Sequence, residues 1–395
     1  MRILQLDVRG FRSLYDVSWS PGDLNVIIGP NGSGKSNILR TIEMLSASSR
    51  GRLNKQILLE GGMGSLVWDG RAPSTSFKLK TSPIDSTRDV TRDSVTYCLE
   101  LTPLRSTYQI EHELLGNYFR VESGEKEEPF KFLERTPRRA VVYDEGERGF
   151  SAPDEFVSPD ETLLSIAAGP FAYNRLVPVY QKDLANWRVY QDFQTHRESA
   201  MRQPPLASLD TSVAADGHNL VSVLHTLYAN RDFEKDLNSA MQAAFGDDFE
   251  KLIFPPAADQ RIQLRIRWKS LEREQTAAEL SDGTLRFLLL IAVLANPNPP
   301  SVIAIDEPAI GLHPTMLPIV AEYAVEASHR SQIIFTTHSA DFLDAFGASP
   351  PTTTVTKWVE GKTQLDVVSG ESLRYWLREY TLGSMYRSGE LEDME

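Results

Sequence analysis

Eight residues, Gly29-Pro30-Asn31-Gly32-Ser33-Gly34-Lys35-Ser36, follow the spacing G-x-x-x-x-G-K-[ST]. A loop of this kind that opens onto a helix turns its main-chain N–H groups toward phosphate oxygens. Lys35 then reaches the β and γ phosphates, Ser36 supplies an oxygen to Mg2+, and Asn37 continues the phosphate-facing turn. A second pair, Asp306-Glu307, ends the apolar run Ser301-Val-Ile-Ala-Ile305. Two acids at the end of a buried strand place Asp306 in the Mg2+ shell and leave Glu307 facing an attacking water. Between the two motifs lies Glu279-Leu280-Ser281-Asp282-Gly283-Thr284, where Ser281 is suited to cap a helix. A helix N-terminus is also a receptor for phosphate. Finally, Ile333-Ile-Phe-Thr-Thr337 delivers His338 and Ser339 from the end of another apolar run. Together these residues point to phosphoryl transfer from a nucleoside triphosphate.

The elements needed to position them are legible in the periodicity. Ile3, Leu4, Leu6 and Val8, then Phe11, Leu14, Val17 and Trp19, predict a hairpin. The apolar run 24–28 predicts a buried strand, and Ile38, Leu39, Ile42 and Leu45 predict a helix from Asn37 to Leu45. The polar stretch from Ser46 to about Asn54 reads as a linker. Alternating residues over 66–145 predict antiparallel strands, with the acidic Glu122–Glu128 segment as a solvated hairpin tip. Ser158 with Glu161 has the form of a capping box, and helices are expected over about 160–250, one of them capped by Asp216-Gly217-His218-Asn219. Residues 261–269 alternate, with Ile262, Leu264, Ile266 and Trp268 on one face and Arg261, Arg265, Arg267 and Lys269 on the other. A helix around 281–295 and a helix at 315–328 flank the strand 301–305 and precede the strand 332–335, an α/β crossover unit.

Composition narrows the class. The chain has 395 residues, 41% hydrophobic and 24% charged, with 41 Lys+Arg against 54 Asp+Glu for a net charge of −13. That is a globular composition of two or three lobes, and disorder is excluded for most of the chain. The longest apolar run, Phe287 to Ala295, is far shorter than the roughly 20 residues a membrane helix needs. The opening residues lack the pattern of a secretory signal, so the expected location is the cytoplasm. The lone Cys98 can form neither an internal disulfide nor a cysteine-based zinc site, and reads as a small residue in a strand. The net negative charge disfavours non-specific attraction to nucleic acid, although a local basic face can outweigh it.

The order phosphate loop, Ser281 segment, Asp306-Glu307, His338 resembles the ABC-type ATPases of the RecF/SMC/OLD group. Glu279–Thr284 resembles their signature, usually LSGGQ, with Asp282 and Thr284 as departures. Val8-Arg-Gly-Phe-Arg-Ser-Leu14 resembles the opening of this group, and Gly311-Leu312-His313-Pro314 its D-loop. Asp216–Leu220, Tyr380–Gly383 and Gly389–Leu391 resemble a bacterial subgroup of AAA-type ATPases with a compact helical insert in place of a coiled coil. The resemblance implies an α/β head with a mixed or antiparallel β lobe, a P-loop α/β core sheet and an inserted helical lobe. It suggests a division into 1–150, 151–250 and 251–395. It implies ATP and Mg2+ as ligands, Lys35, Glu307 and His338 as catalytic groups, and an ATP-dependent head-to-head homodimer. In that dimer Ser281, Asp282 and Gly283 serve the partner's ATP, His338 senses the γ-phosphate, and Arg12 approaches the phosphates. Gln109 is the one residue suggested for the glutamine that links Mg2+ to the helical lobe.

Three functions are compatible with this core. One is a switch in DNA repair or antiphage defence, working with DNA or with a separate effector or nuclease protein; the 261–269 strand and Arg135, Arg138 and Arg139 are its candidate DNA contacts. A second is an OLD-type nuclease, which needs a long extension after His338; Glu390, Glu392, Asp393 and Glu395 instead read as a disordered acidic tail. A third is the nucleotide-binding subunit of a transporter, which the GFRSL-like opening and the GLHP loop argue against.

Overall fold

A computed structural model of the chain describes residues 1–84, 94–105, 107–117, 130–152, 157–169, 173–368 and 380–393. The Glu122–Glu128 segment lies outside the described residues.

Strands β1 (Ile3–Phe11) and β2 (Leu14–Trp19) form the expected antiparallel pair, with Val8 opposite Val17. Strand β3 (Leu24–Ile28) leads through the glycine loop into helix α1 (Lys35–Ser49). The helix runs on through Ser46–Ser49, where composition suggests a linker. Ser48 and Ser49 donate their hydroxyls to the carbonyls of Leu45 and Ser46, both at 2.8 Å, so these polar residues can be buried in a helical turn. Short helices α2 (Leu53–Leu59) and α3 (Met63–Leu66) follow. Then come β4 (Thr75–Thr81), β5 (Val95–Leu104), β6 (Thr107–Asn117), β7 (Phe130–Thr136), β8 (Arg139–Asp144) and β9 (Gly149–Ser151). With β1 and β2 they build an eight-stranded antiparallel sheet in the order β2-β1-β4-β5-β6-β7-β8-β9. Cys98 lies on β5, as expected, and burial pushes its thiol up to about 11.

Helices α4 (Leu163–Ala167) and α5 (Leu176–Ala185) precede the short strand β10 (Arg188–Tyr190), and α6 (Leu220–Tyr228) and α7 (Arg231–Phe245) follow it. Ser158 does not cap α4. The carboxylate of Glu113, on β6, accepts from the N–H groups of Leu163 and Leu164 at 2.6 and 2.9 Å, doing from another element what a local cap would do. Strands β11 (Phe249–Ile253), β12 (Pro256–Ala257), β13 (Arg261–Ile262), β14 (Arg265–Trp268) and β15 (Gln275–Thr276) lie beside these helices. Helix α8 (Asp282–Leu294), strand β16 (Val302–Asp306), helix α9 (Leu317–Ser328) and strand β17 (Gln332–Thr336) form the predicted crossover. Helix α10 (Ala340–Asp344) and the hairpin β18 (Thr352–Val359) and β19 (Lys362–Val368) complete the core.

The central sheet has the order β10-β16-β17-β3-β18-β19, parallel except for the edge strand β19. Strands β3, β16 and β17 carry apolar residues on both faces, and the period of two sorts them. Ile27, Val302, Ala304 and Ile334 face a core shared with α1, α4, α5 and the antiparallel sheet. Val26, Ile28, Ile303, Ile305, Ile333 and Phe335 face a second core shared with α6 to α9. The segments 1–150, 151–250 and 251–395 are therefore interleaved: β3, β10 and β16 come from all three, and a hydrogen-bonded sheet joins them.

The expected disordered tail is a short helix over Glu390–Asp393, and Glu395 lies outside the described residues. The helix Leu382–Ser388 is capped by Thr381, stops at Gly389 with φ +81°, and is followed by the fully buried Leu391. A Cβ on Gly383 would lie 2.3 Å from the Ala340 carbonyl oxygen, so glycine permits this helix to rest on α10.

Gln332 clamps the two large sheets. Its Oε1 accepts from the Ile3 N–H at 2.8 Å, and its Nε2 donates to the Ile3 and Gly22 carbonyls at 3.0 and 2.7 Å. Gln332→Leu keeps the volume and orphans these buried groups. Urea unfolding should show a loss of about 2–4 kcal/mol, and a change under about 0.5 kcal/mol would show that the clamp contributes little.

Candidate functional site

Strands β3, β16, β17 and β10 are mutually parallel and end on one side of the sheet, the edge where open α/β sheets hold ligands. Gly29, Asp306-Glu307, Thr337-His338 and Gln191 all leave those ends. The glycine loop is braced from β18 and β19. Thr356 donates to the Ile28 carbonyl at 2.9 Å and bonds the Ser33 hydroxyl; Thr363 donates to the Ser33 carbonyl at 2.8 Å and is bonded to the Ser13 hydroxyl at 2.7 Å. Asn37 in turn donates to Ser13 at 2.7 Å. Gly29, Gly32 and Gly34 have φ of +141°, +79° and +104°. A Cβ on Gly29 or Gly34 would sit 2.3 Å from the Thr356 carbonyl or 2.1 Å from the Thr363 hydroxyl, whereas Gly32 faces open space.

Lys35 is buried and folds back onto the Gly29 and Pro30 carbonyls at 2.7 and 3.1 Å. Burial lowers its pKa, against the pull of Glu307 and Asp306. Ser36 donates to Asp306 at 2.9 Å, and the other Asp306 oxygen accepts from Thr336. Glu307 has a left-handed backbone, φ +48°, held by its N–H to the Thr336 carbonyl at 3.0 Å. That turn brings its carboxylate to 2.7 Å from His338 Nδ1. The Glu307 side chain is only 17% exposed while His338 is 52% exposed, so the pair spans the wall and the mouth of the site.

Ser281 caps α8, accepting from the Thr284 N–H at 3.0 Å, as the local reading predicts. Among the described residues its side-chain hydrogen bonds go to Thr284, and its carbonyl accepts from the Leu285 N–H at 3.1 Å. Gly283 backs onto the Gly311 carbonyl, where a Cβ would come within 2.6 Å, so the signature and the GLHP loop touch. Asp282 is paired with Arg202, a residue no motif singles out.

Gln109 lies on β6, inside the antiparallel sheet and paired with Thr102, away from the strand ends. Gln191 instead stands at those ends. Tyr190 pairs with Ile305 in parallel register, so Gln191 leaves β10 beside Asp306, and its amide donates to Glu43 at 3.4 Å. The signal missed in the sequence is the short strand 188–190, Arg-Val-Tyr, among predicted helices. Arg12, with φ +50°, is held by Glu60 rather than left free, and Arg40 approaches the same carboxylate at 3.6 Å. Burial and the neighbouring Arg40 lower the Arg12 pKa, and Glu60 opposes them.

The candidate DNA contacts divide, with Arg261 and Lys269 exposed and Arg135, Arg265 and Arg267 engaged within the chain. Arg135 is buried and donates to the Ser158 and Glu161 carbonyls. Arg265 pairs with Glu274 at 3.1 Å, and Arg267 lies 3.8 and 3.7 Å from Glu250 and Glu274. Arg138 and Arg139 are exposed. No described helix is long and apolar enough to cross a membrane.

The site suits a nucleotide with Mg2+. The first turn of α1 and the open Gly32 leave main-chain donors for phosphate, and Ser36 with Asp306 offers two hard oxygen ligands. Among the described residues no cluster of three or more His, Cys, Asp or Glu side chains could hold a metal. Mg2+ asks for no such cluster, because phosphates and waters fill its shell.

A parallel sheet carrying this loop, this Asp-Glu pair and a following histidine, with a capped helix beside it, has the fold of an SMC ATPase head. The chain belongs to the family described as AAA domain, putative AbiEii toxin, Type IV TA system, whose profile matches residues 24–344. No curated protein matches it. Its fold is similar to an SmcHead bound to the C-winged helix domain of ScpA, with 14% identity, a TM-score of 0.60, and 94% of this chain and 100% of that one covered. It is also similar to an Smc head domain with an extended coiled coil bound to the C-terminal domain of ScpA derived from Pyrococcus furiosus. There the identity is 14% and the TM-score 0.55, with 96% and 99% covered.

The bracing of the loop separates its glycines. Gly32→Ala should cost about 1–2 kcal/mol from φ alone, and Gly34→Ala distinctly more, because Thr363 and Ser13 must also move. Chemical unfolding without nucleotide measures both, and equal losses would remove the crowding argument.

Proposed function

We propose that this ATPase is a switch in which two heads, face to face, enclose ATP and Mg2+, each lending its signature to the other's nucleotide. The observation that carries the reading is the Glu307–His338 pair, set at the strand ends beside Ser36 and Asp306. Lys35 leaves the carbonyls it now holds and binds the β and γ phosphates. Gly29–Asn37 cradle them through main-chain N–H groups. Ser36 and Asp306 hold Mg2+, which when bound neutralises charge on the phosphates. Glu307 orients and deprotonates the attacking water, and His338 registers the γ-phosphate while bonded to it. Gln191 links this centre to the helices beyond β10. Arg12 turns to the phosphates once Glu60 releases it.

The cap that Ser281 makes on α8, which presents the helix N-terminus, supports a phosphate-receiving role for this segment, and we assign it to a partner's ATP. Ser281, Asp282 and Gly283 then present the N-terminus of α8 to the partner's γ-phosphate. Dimerisation exposes or assembles a surface for a separate effector, in antiphage defence or DNA repair. The family description, with its putative toxin, supports the first of these settings. The ScpA pieces carried by the two similar Smc heads support a protein partner.

Lys35→Ala should abolish ATP binding. Glu307→Gln should keep ATP bound, lower turnover by roughly 10²–10⁴-fold, and shift from monomer to dimer with ATP and Mg2+ in light scattering after size exclusion. Turnover equal to wild type would refute Glu307 as the base, and a mass unchanged by ATP would refute the trans signature.

A further inference from the structure

Arg202 ends a short turn, Ala200–Arg202, in the segment between β10 and α6. Its side chain is 6% exposed, in a position where an unpaired charge would be costly. Nε donates to the Thr195 carbonyl at 2.8 Å. Nη1 donates to the Leu280 carbonyl at 2.6 Å and lies within 3.4 Å of the carbonyls of Ala277 and Ala278. Nη2 bonds the carboxylate of Asp282. One guanidinium thus gathers the chain on either side of Leu280 and the first residue of α8. A second tie runs parallel to it: Arg286, one turn along α8, donates to the Phe193 carbonyl at 3.5 Å and lies 5.9 Å over the Phe193 ring. The segment that starts at Gln191 is therefore fastened to the signature helix twice.

Asp282 is the departure from the LSGGQ pattern, a carboxylate where that pattern has glycine. It suits the N-terminus of its own helix. It is also 62% exposed and carries the same sign as a triphosphate that must approach that N-terminus.

We propose that Arg202 is the positioning residue of the signature loop, neutralising Asp282 and fixing residues 277–282 so that the partner head's triphosphate can dock on α8. The inference rests on the trans-signature reading above. It explains why a carboxylate is tolerated at position 282, and it makes the segment after Gln191 the physical connection between the site of one nucleotide and the surface that receives the other. Arg202 touches neither nucleotide. Its effect is on dimerisation and turnover, not on ATP binding by a single head.

The test uses the full chain in the Glu307→Gln background, with light scattering for ATP-dependent dimerisation and a fluorescent ATP analogue for binding to the monomer. Adding Arg202→Gln should weaken dimerisation more than tenfold, leave monomer binding within about twofold, and show a deficit that shrinks as salt rises. Adding Asp282→Asn as well should recover a substantial part of the loss, because the uncompensated carboxylate is gone. If the triple variant is as weak as the double, Arg202 acts only by holding main chain and the electrostatic proposal is overturned. Should Arg202→Gln fail to fold by circular dichroism, Arg202→Lys with and without Asp282→Asn makes the same comparison. There Arg202→Lys keeps the charge and should weaken dimerisation only a few-fold relative to the Glu307→Gln parent, and a loss above tenfold that Asp282→Asn does not recover would again overturn it. A Glu307→Gln parent that stays monomeric with ATP removes the dimer reading and this inference together. A parent that dimerises, and does so equally with Arg202→Gln, removes the inference alone.

Discussion

The structure turns on a loop that must keep main-chain donors turned outward, at left-handed backbone angles, without collapsing onto itself. Glycine supplies the angles, but freedom is not rigidity. The rigidity comes from Thr356 and Thr363, on the hairpin of β18 and β19, and from Ser13 at the turn of β1 and β2. Three hydroxyls distant in sequence convert a permissive loop into a fixed cradle. This is why the parallel sheet extends past β3, and why the first hairpin lies against the glycine loop.

The two-faced sheet has a second consequence. Because Val26, Ile303 and Phe335 point into one core while Ile27, Ala304 and Ile334 point into the other, helices packed on opposite faces meet the same strand ends. Helix α1 carries Ser36 on one side, and α8 brings Ser281 from the other. Strand β10 adds a third element at the sheet edge, and the chain leaving it is tied to α8 by Arg202 and Arg286. The GLHP loop touches Gly283 from behind. Phosphate loop, glutamine segment, signature and GLHP loop are thus mechanically continuous within one head.

Electrostatics follow the same economy. The chain is acidic, and its described cations are mostly engaged at short range. Arg135 serves main-chain carbonyls, Arg265 and Arg267 face glutamates, and Arg12 rests on Glu60. Lys35 is the exception in kind: a buried ammonium satisfied only by two carbonyls, which a phosphate can replace with a full negative charge.

The sequence by itself determined the phosphate loop, the Asp306-Glu307 and His338 strand ends, the cap at Ser281, and most strands and helices around them. Each is a local property: glycine angles, a period of 2 or 3.6, a hydroxyl one turn before an N–H. Tertiary structure decided what depends on partners far along the chain. It set Gln191, and not Gln109, beside Asp306, because that is a matter of strand order and not of spacing. It extended α1 through Ser46–Ser49, where the carbonyls of Ser48 and Ser49 accept from Thr162 and Gln181, gave α4 a cap from Glu113 on β6, and took Arg135 out of any surface patch. It interleaved the three sequence segments in one sheet. It also paired Arg202 with Asp282, turning an apparent defect of the signature into a contact. Hydrogen bonds between residues remote in sequence leave no periodic trace, so only folding could bring them into view.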